Sequence, residues 1–361
     1  MALAGVSTQR PAPENVRQNR REHRMSSSET GRWATVWAID LGGTNTKLGL
    51  VRSSGEVVGE QVFRTRPDRA AESWADEAAS GLRGLATSQG IPEEEIGAIG
   101  IGAPGPLSSK EGVLTNPLPN LPNWRGFAIC RALTERLGKP AFLDNDANVA
   151  GLSEQWLGVG KDVENLIVLT LGTGIGAGVI AEGRLLHGFS ENAGELGHVS
   201  IDHAGPRCGA CGNRGCLELY ISAAATVERF RRKLEAAGAQ AEEDLTPARV
   251  FEAAEAGDEA ARETFAEFGY YLGAAIANFV HAFNPEMVVL AGGIAGAARY
   301  YLEQVRAVVV ERTFPDFQVG LRIEVSPLGE TMGLLGAARL ALPATGEQGA
   351  GARPGKEAVG G

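Results

Sequence analysis

A short acidic and amide-rich segment, Asp144–Asn148, carries side chains suited to proton transfer. It lies between a predicted strand, Pro140–Leu143, and a predicted helix, and strand ends are where α/β folds place ligands. A carboxylate there can accept the proton of a hydroxyl group that attacks a phosphoryl group. Asn145 can hydrogen-bond a sugar hydroxyl. The alternative is that Asp144 or Asp146 only caps the helix, and the segment alone favours neither interpretation.

Two Gly/Thr turns follow apolar strands and are suited to holding a polyphosphate. The first, Asp40–Thr44, follows the strand Val36–Ile39, and the second, Gly172–Gly174, follows the strand Leu166–Leu171. Glycine lets the backbone approach phosphate oxygens, and the turn amides donate to them. Asp40 at the strand end can hold Mg²⁺ directly or through water. The chain has no Walker lysine motif and no GxGxxG before a helix, so the common nucleotide-binding folds do not fit.

The two turns belong to segments that resemble each other. Leu41–Val51 and Leu171–Ala181 align at a constant offset of 130 residues (171 − 41). This pattern suggests two similar halves whose phosphate loops face one cleft. The alternative is two unrelated hairpins.

Three cysteines, Cys208, Cys211 and Cys216, fall within nine residues with the spacings C-x2-C and C-x4-C. Such spacings are typical of structural zinc sites, for which His198 or His203 could supply the fourth ligand. A bound Zn²⁺ would order this glycine-rich loop and fix the nearby carboxylates of Glu195 and Glu218 as acceptors for hydroxyl groups. The alternative is that the cysteines are free buried thiols.

A further turn follows the predicted strand Met287–Ala291. Gly292 and Gly293 at its end would allow close approach of a flat base or ribose. An ordinary turn is the alternative.

The order of elements indicates an α/β architecture, because strand-like and helix-like segments alternate from residue 34 to 342. We predict a small α/β domain over 34–145, with the first phosphate loop. A larger domain over 146–342 would hold the second loop and the zinc motif, and its last helix could return to the small domain. Residues 1–33 and 343–361 are expected to be disordered tails. Met25 is an alternative start to Met1.

Charge and hydropathy exclude two classes of partner. The net charge is −10 and the pI about 5.2, with no basic field of the kind that nucleic-acid binding requires. No apolar run approaches the roughly 20 residues of a membrane helix, and the first 30 residues lack a secretory signal. We therefore expect a cytoplasmic protein that binds neither nucleic acid nor membrane.

Taken together, the motifs resemble those of the ROK family of sugar kinases and repressors, in family order across about residues 35–340. The matching segments are Asp40-Leu-Gly-Gly-Thr44, Gly102-Ala-Pro-Gly-Pro106, Pro119-Asn120-Leu121 with Trp124, Asn145-Asp-Ala-Asn148, Leu171-Gly-Thr-Gly-Ile-Gly176, Gly194-Glu-Leu-Gly-His198, the cysteine cluster, and Asn284-Pro285 with Gly292-Gly293.

The resemblance implies the actin-like ATPase (ribonuclease H-like) fold, with two α/β domains around a cleft, and ATP with Mg²⁺ as cofactor. It implies Asp146 as the catalytic base. The implied phosphate and adenosine contacts are Asp40, Gly42, Gly43, Thr44, Gly172, Thr173, Gly174, Gly292 and Gly293. The implied sugar contacts are Gly105, Asn145, Glu195, His198 and Glu218. The implied ligands of one structural Zn²⁺ are His198, Cys208, Cys211 and Cys216. The family favours homodimers and homotetramers.

The cysteine spacing departs from the family pattern, which is C-x-C-G-x2-G-C, because Ala210 adds a residue between the first two cysteines. The ten-residue gap from His198 to Cys208 is similar to that of the glucokinase branch. The repressors carry an N-terminal helix-turn-helix, for which the 33-residue tail is too short and too polar. The resemblance thus implies a glucokinase acting on the 6-hydroxyl of glucose. A kinase for fructose, mannose or N-acetylglucosamine, a non-enzymatic sugar sensor, and polyphosphate as donor stay open.

Overall fold

The computed structural model describes residues 33–115, 121–240, 242 and 244–342. The predicted tails, apart from Trp33, and the Pro119-Asn120 part of the motif at 119–124 lie outside these residues. Within the described ranges, no helix combines the length and the apolar character that crossing a membrane requires.

The first half of the chain forms a five-stranded sheet in the order β3-β2-β1-β4-β7. Its elements are β1 Thr35–Leu41, β2 Asn45–Arg52, β3 Val57–Arg64, α1 Ala71–Ser88, a 3-10 turn Glu93–Glu95, β4 Ile96–Ala103, β5 Leu107–Ser108, β6 Val113–Leu114, α2 Ile129–Leu137 and β7 Ala141–Asn145. The first three strands form an antiparallel meander. β4 and β7 extend the sheet in parallel, and β4 is buried along its whole length, as a central parallel strand requires.

The second half forms a five-stranded sheet in the order β10-β9-β8-β11-β12. Its elements are α3 Asp146–Leu157, β8 Leu166–Leu171, β9 Ile175–Ala181, β10 Arg184–Leu185, a 3-10 turn Leu196–His198, α4 Glu218–Ile221, α5 Ala223–Ala236, α6 Pro247–Glu255, α7 Glu259–Phe283, β11 Met287–Ala291, a 3-10 helix Gly293–Tyr300, α8 Leu302–Arg312, α9 Pro315–Gln318, β12 Arg322–Val325, a 3-10 turn Gly329–Thr331 and α10 Met332–Ala341. Each sheet is an antiparallel three-stranded unit followed by two parallel strands, so the two halves share one topology.

The constant offset of 130 between the halves is wrong for the returning strands. Leu41 pairs with Thr46 in the first hairpin, whereas Leu171 pairs with Ile175 in the second. The second turn is therefore one residue shorter, and β9 corresponds to β2 at an offset of 129 (175 − 46). Because a shift of one residue would exchange the two faces of the strand, the shorter turn sets which side chains face the core.

Two helices connect the halves. α3 packs against β8 and β9, α10 packs against β1 and β4, and the two helices contact each other. The close approach of α10 to α3 and to β4 requires glycines. A Cβ at Gly336 of α10 would overlap the backbone of Val149 in α3, and a Cβ at Gly100 of β4 would overlap the backbone of Ala337 in α10. The last helix thus returns to the first sheet, and the start of α3 lies at the junction of the two halves.

Candidate active site

A cleft of about 460 Å³ opens at this junction. The sequence-predicted residues that line it are Gly105, Asn145, Asp146, Gly172, Thr173, Gly174, Glu195, His198, Glu218, Gly292 and Gly293. Residues of the first Gly/Thr turn, Asp40–Thr44, do not line this space. The structure therefore gathers the predicted base, the predicted sugar contacts and the second phosphate loop in one place.

Asp146 is the first residue of α3 and lines this cleft, where its side chain is exposed to solvent. Removal of the carboxylate from bulk water raises the pKa of Asp146 to about 6, against the opposing hydrogen bond from the Ala147 amide. The negative charges of Asp40 and Glu195 raise it further. A carboxylate with a pKa near the working pH is suited to general-base catalysis.

The helix cap is neither of the two residues considered from the sequence. Asn145 is the N-cap of α3, and its side-chain oxygen accepts a hydrogen bond from the Ala147 amide at 2.9 Å. The reason is backbone geometry: Asn145 is extended, as an N-cap must be, whereas Asp146 already occupies the first helical position. One oxygen of Asp146 also accepts from the Ala147 amide, at 2.8 Å. The second carboxylate oxygen has no hydrogen-bond partner among the described residues.

Glu218 supports the second phosphate loop as well as lining the cleft. It is the first residue of α4, and its Oε2 accepts a hydrogen bond from the amide of Ile175 at 2.9 Å. Gly174 lies so close to this oxygen that an added Cβ would come within 2.8 Å of it. The sequence did not reveal this contact, which uses one of the two carboxylate oxygens of Glu218.

The zinc motif forms one compact cluster. The ligand atoms of His198, Cys208, Cys211 and Cys216 all lie within 4.8 Å of one another, and His203 is not among them. Cys208 Sγ lies 3.7 Å from His198 Nδ1, and the Sγ atoms of Cys211 and Cys216 are 3.5 Å apart. A tetrahedral Zn²⁺ with bonds of about 2.0–2.3 Å separates its ligand atoms by about 3.5–3.8 Å. The donor set therefore fits zinc, and the extra Ala210 does not exclude Cys211 from the cluster.

A second, apolar pocket of about 470 Å³ adjoins the second phosphate loop. It shares Gly172, Thr173 and Gly293 with that region. Its walls come from α5, α6, α7 and the 3-10 helix after β11, namely Ala223, Thr226, Pro247, Ala248, Phe251, Phe265, Ile294, Gly296 and Ala297. Sequence reasoning missed all of these wall residues, because they are small or apolar side chains in ordinary helices and form no motif.

The chain matches the model of the ROK family over residues 36–344. The chain belongs to the ROK family. A glucokinase of Thermotoga maritima is 36% identical over 312 residues, 84% of this chain and 95% of the relative. A ROK-family glucokinase from Streptomyces griseus, solved with glucose and AMPPNP, is 28% identical, covers 85% of this chain and 99% of its own, and superposes with a TM-score of 0.70. A xylose repressor of Caldicellulosiruptor bescii is 34% identical over 245 residues, 66% of this chain and 60% of the repressor.

These likenesses confirm the actin-like ATPase fold with two α/β domains around a cleft. They leave open the roles of individual residues in this ROK protein. The domain boundary at 145/146 and the site assignments accordingly stay predictions.

The pKa of Asp146 leads to a prediction for pH dependence. Only the ionised carboxylate can accept a proton, so a raised pKa removes activity on the acid side. We expect kcat/KM for the sugar to fall by about tenfold per pH unit below about pH 6, and to level off above it. A direct assay of ADP by chromatography between pH 5 and 8 avoids coupling enzymes with their own pH limits. A flat profile down to pH 5 would mean that no group of this kind is required.

The position of the Asp40 side chain requires a glycine, Gly333, in α10. A Cβ at Gly333 would overlap the carboxylate of Asp40, which is half-buried and whose pKa burial raises. We expect Gly333→Ala to displace Asp40 and lower kcat by roughly tenfold or more, because small misplacements in an active site are costly. Gly84→Ala is the matched control, since Gly84 lies within α1 and an added Cβ meets nothing within 4 Å. Equal kcat for the two variants would show that the position of Asp40 is unimportant.

Proposed function

We propose that this ROK protein is an ATP-dependent glucokinase that transfers the γ-phosphoryl group of ATP to the 6-hydroxyl of glucose. The observation that carries the proposal is the meeting, in one cleft, of Asp146 with the side chains of Asn145, Glu195 and Glu218 and the turn Gly172–Gly174. A base, a set of hydroxyl acceptors and a glycine-rich phosphate loop are the parts that phosphoryl transfer to a sugar requires.

The chemistry assigns one role to each group. Asp146 accepts the proton of the 6-hydroxyl group of glucose. The oxygen of that hydroxyl forms the new bond to the γ-phosphorus while the bond from the γ-phosphorus to the bridging β-phosphate oxygen breaks, which releases ADP. Glu195, His198 and Glu218 hold the other sugar hydroxyls. Mg²⁺, for which Asp40 is the candidate ligand, neutralises the charge of the phosphates when bound. The charge of Asp40 raises the pKa of Asp146, which supports a place for Asp40 close to the reacting centre.

The apolar pocket supports a nucleotide rather than polyphosphate as donor. It continues from the backbone of Gly172 and Thr173 and is almost entirely apolar, with Phe251 and Phe265 in its wall. A flat aromatic base gains from burial in such a space, whereas a polyphosphate chain would leave its charges unpaired there. We therefore assign this pocket to the adenosine of ATP.

A non-enzymatic sugar sensor is the second candidate, because xylose repressors are among the relatives. It predicts sugar binding without turnover. The presence of Asp146 in the cleft, with only one of its carboxylate oxygens bonded to the helix backbone, favours the kinase.

A panel of sugars tests the specificity. We expect kcat/KM for glucose to exceed that for galactose and fructose by roughly tenfold or more, since one lost hydrogen bond of about 1.4 kcal/mol gives that factor. Mannose, which differs only at the 2-hydroxyl, should be the nearest competitor. Equal or higher kcat/KM for fructose or N-acetylglucosamine would overturn the glucokinase assignment and leave the kinase assignment standing.

Glu218→Gln tests the sugar contact within the same panel. The amide oxygen of glutamine can still accept the hydrogen bond from Ile175, so the loop is retained while the charge is lost. We expect the glucose preference to decline more than the affinity for ATP. Glu259→Gln, at the first position of α7, is the matched control and should change neither.

A further inference from the structure

Asp144, the residue before the Asn145–Asp146 pair, is a buried carboxylate that the proposed reaction does not use. Its side chain is only 2% exposed. Oδ1 accepts hydrogen bonds from the amide of Asn145 at 2.7 Å and from the side-chain amide of Asn148 at 2.8 Å. Oδ2 is bound by Nε2 of His187, at 2.7 Å. A buried carboxylate is stable only when its oxygens are hydrogen-bonded, so this histidine is required to satisfy it.

His187 comes from the other half of the molecule. It lies just after β10 of the second sheet, in the loop 186–195 that ends at Glu195. The carbonyl of His187 accepts a hydrogen bond from the amide of Ala193, so the loop closes on itself directly before Glu195. One side chain therefore joins the strand that presents the predicted base to the loop that presents a predicted sugar contact.

A second contact ties the same loop to the first half. Glu191 is nearly buried, and its carboxylate accepts hydrogen bonds from Ser108 Oγ at 3.1 Å and from the Lys110 amide at 3.2 Å. The ammonium of Lys110 lies 2.6 Å from the same carboxylate. Ser108 and Lys110 follow Gly105 in the first half, so the loop is bound to the first half at two places.

We propose that His187 is a positioning residue for phosphoryl transfer, which holds Asp144 and thereby orients the Asn145–Asp146 pair relative to the loop that carries Glu195. The proposal rests on the proposed kinase function. The charged groups that face His187 are Asp144, Glu191 and Lys110. Of these, only Asp144 hydrogen-bonds the imidazole ring.

The test compares His187→Leu with His187→Gln. Leucine removes the donor, whereas the side-chain amide of glutamine can donate from nearly the same place as Nε2. We expect His187→Leu to lower kcat for glucose by about tenfold to a hundredfold and to raise KM for glucose, with KM for ATP nearly unchanged. His187→Gln should recover kcat to within about threefold of wild type. Phe189→Ala is the matched control, because Phe189 lies in the same loop and is fully exposed.

If His187 had a purely structural role, His187→Leu would have a lower melting temperature but the kcat and KM of wild type, and glutamine would have no kinetic loss to restore. That result would overturn the proposal. If His187→Leu does not fold, Asp144→Asn provides the second route, since it is isosteric and removes the buried charge. In the Asp144→Asn background we expect His187→Leu to fold. The decrease in kcat there should be several-fold smaller than the decrease expected in the wild-type background, because the effects of substitutions at contacting residues are not additive. A loss of kcat in the Asp144→Asn background as large as the loss expected in the wild-type background would also contradict the proposal.

The two proposals fail in different ways. If the wild-type protein phosphorylates no sugar, the proposed function is wrong, and hydrogen exchange of the intact protein then decides about His187. Faster exchange in His187→Leu, but not in Phe189→Ala, over both 141–149 and 186–196 would support the link between the two segments. Unchanged exchange over 141–149 would overturn it.

Discussion

Replacement of Asp146 by asparagine should abolish most catalysis while leaving the fold intact. We expect kcat to fall by a factor of roughly 10² or more, because the amide cannot accept the hydroxyl proton. The helix does not depend on the carboxylate, since Asn145 is the cap and the amide oxygen of an asparagine at 146 can still accept from Ala147. The measurement is kcat by ADP release, together with calorimetric glucose binding and the melting temperature.

Asp258→Asn is the matched control for this variant. Asp258 is the N-cap of α7, where its carboxylate accepts from the Ala261 amide, and asparagine caps a helix equally well. We expect no change in kcat. If kcat of Asp146→Asn stays within a few-fold of wild type, the Asp146 carboxylate is not the base and another group must accept the proton.

Loss of the metal should have the second large effect. We expect one tightly bound zinc per chain, and we expect Cys211→Ser to lose it together with at least tenfold of the glucose affinity. The reason is position: His198 is both a predicted zinc ligand in the cluster and a residue of the cleft, and Cys216 lies two residues before Glu218. Without the metal, the loop between Cys208 and Cys216 keeps its backbone hydrogen bonds but loses the tie between its three cysteines and His198, so Glu195 and Glu218 would be placed less precisely.

Elemental analysis and calorimetry test this prediction, with Cys130→Ser as the matched control. Cys130 lies in α2, far along the chain from the cluster, and should affect neither zinc content nor glucose affinity. Active wild-type protein without zinc would contradict the account of the loop. A Cys211→Ser variant that is active and keeps its zinc would show that Cys211 is not a ligand.

The parts of the fold that sequence could predict are those encoded in local patterns. The strand Leu166–Leu171 is a continuous apolar run between a loop and a Gly/Thr turn, and the structure has it with the same bounds. Strand order and the pairing of β8 with β11 follow from the family resemblance, because no local pattern specifies a contact between strands more than 100 residues apart. The sequence did not reveal that the second hairpin turn is one residue shorter than the first, because the glycines and apolar residues of the returning strands align almost equally well at offsets of 129 and 130.

In the candidate site, too, local sequence patterns were predictive and contacts between distant residues were not. The cysteine cluster was predictable from spacing, since few other structures place three cysteines in nine residues. The link from Asp144 to His187 was not, because it joins residues 43 positions apart in different halves. Asn145 as the helix cap was missed for a different reason: Asp and Asn are nearly equal as caps, so only the backbone conformation distinguishes them.

The central claim is that this ROK protein phosphorylates a hexose. Purified protein should be mixed with ATP, Mg²⁺ and glucose, and the products followed by phosphorus NMR, which reports the acceptor and the donor at once. We expect glucose-dependent formation of ADP and of one new phosphomonoester, at the 6-position of glucose. Glucose binding by calorimetry with no phosphorylated product from glucose, mannose, fructose or N-acetylglucosamine would contradict it and would identify the protein as a sugar sensor.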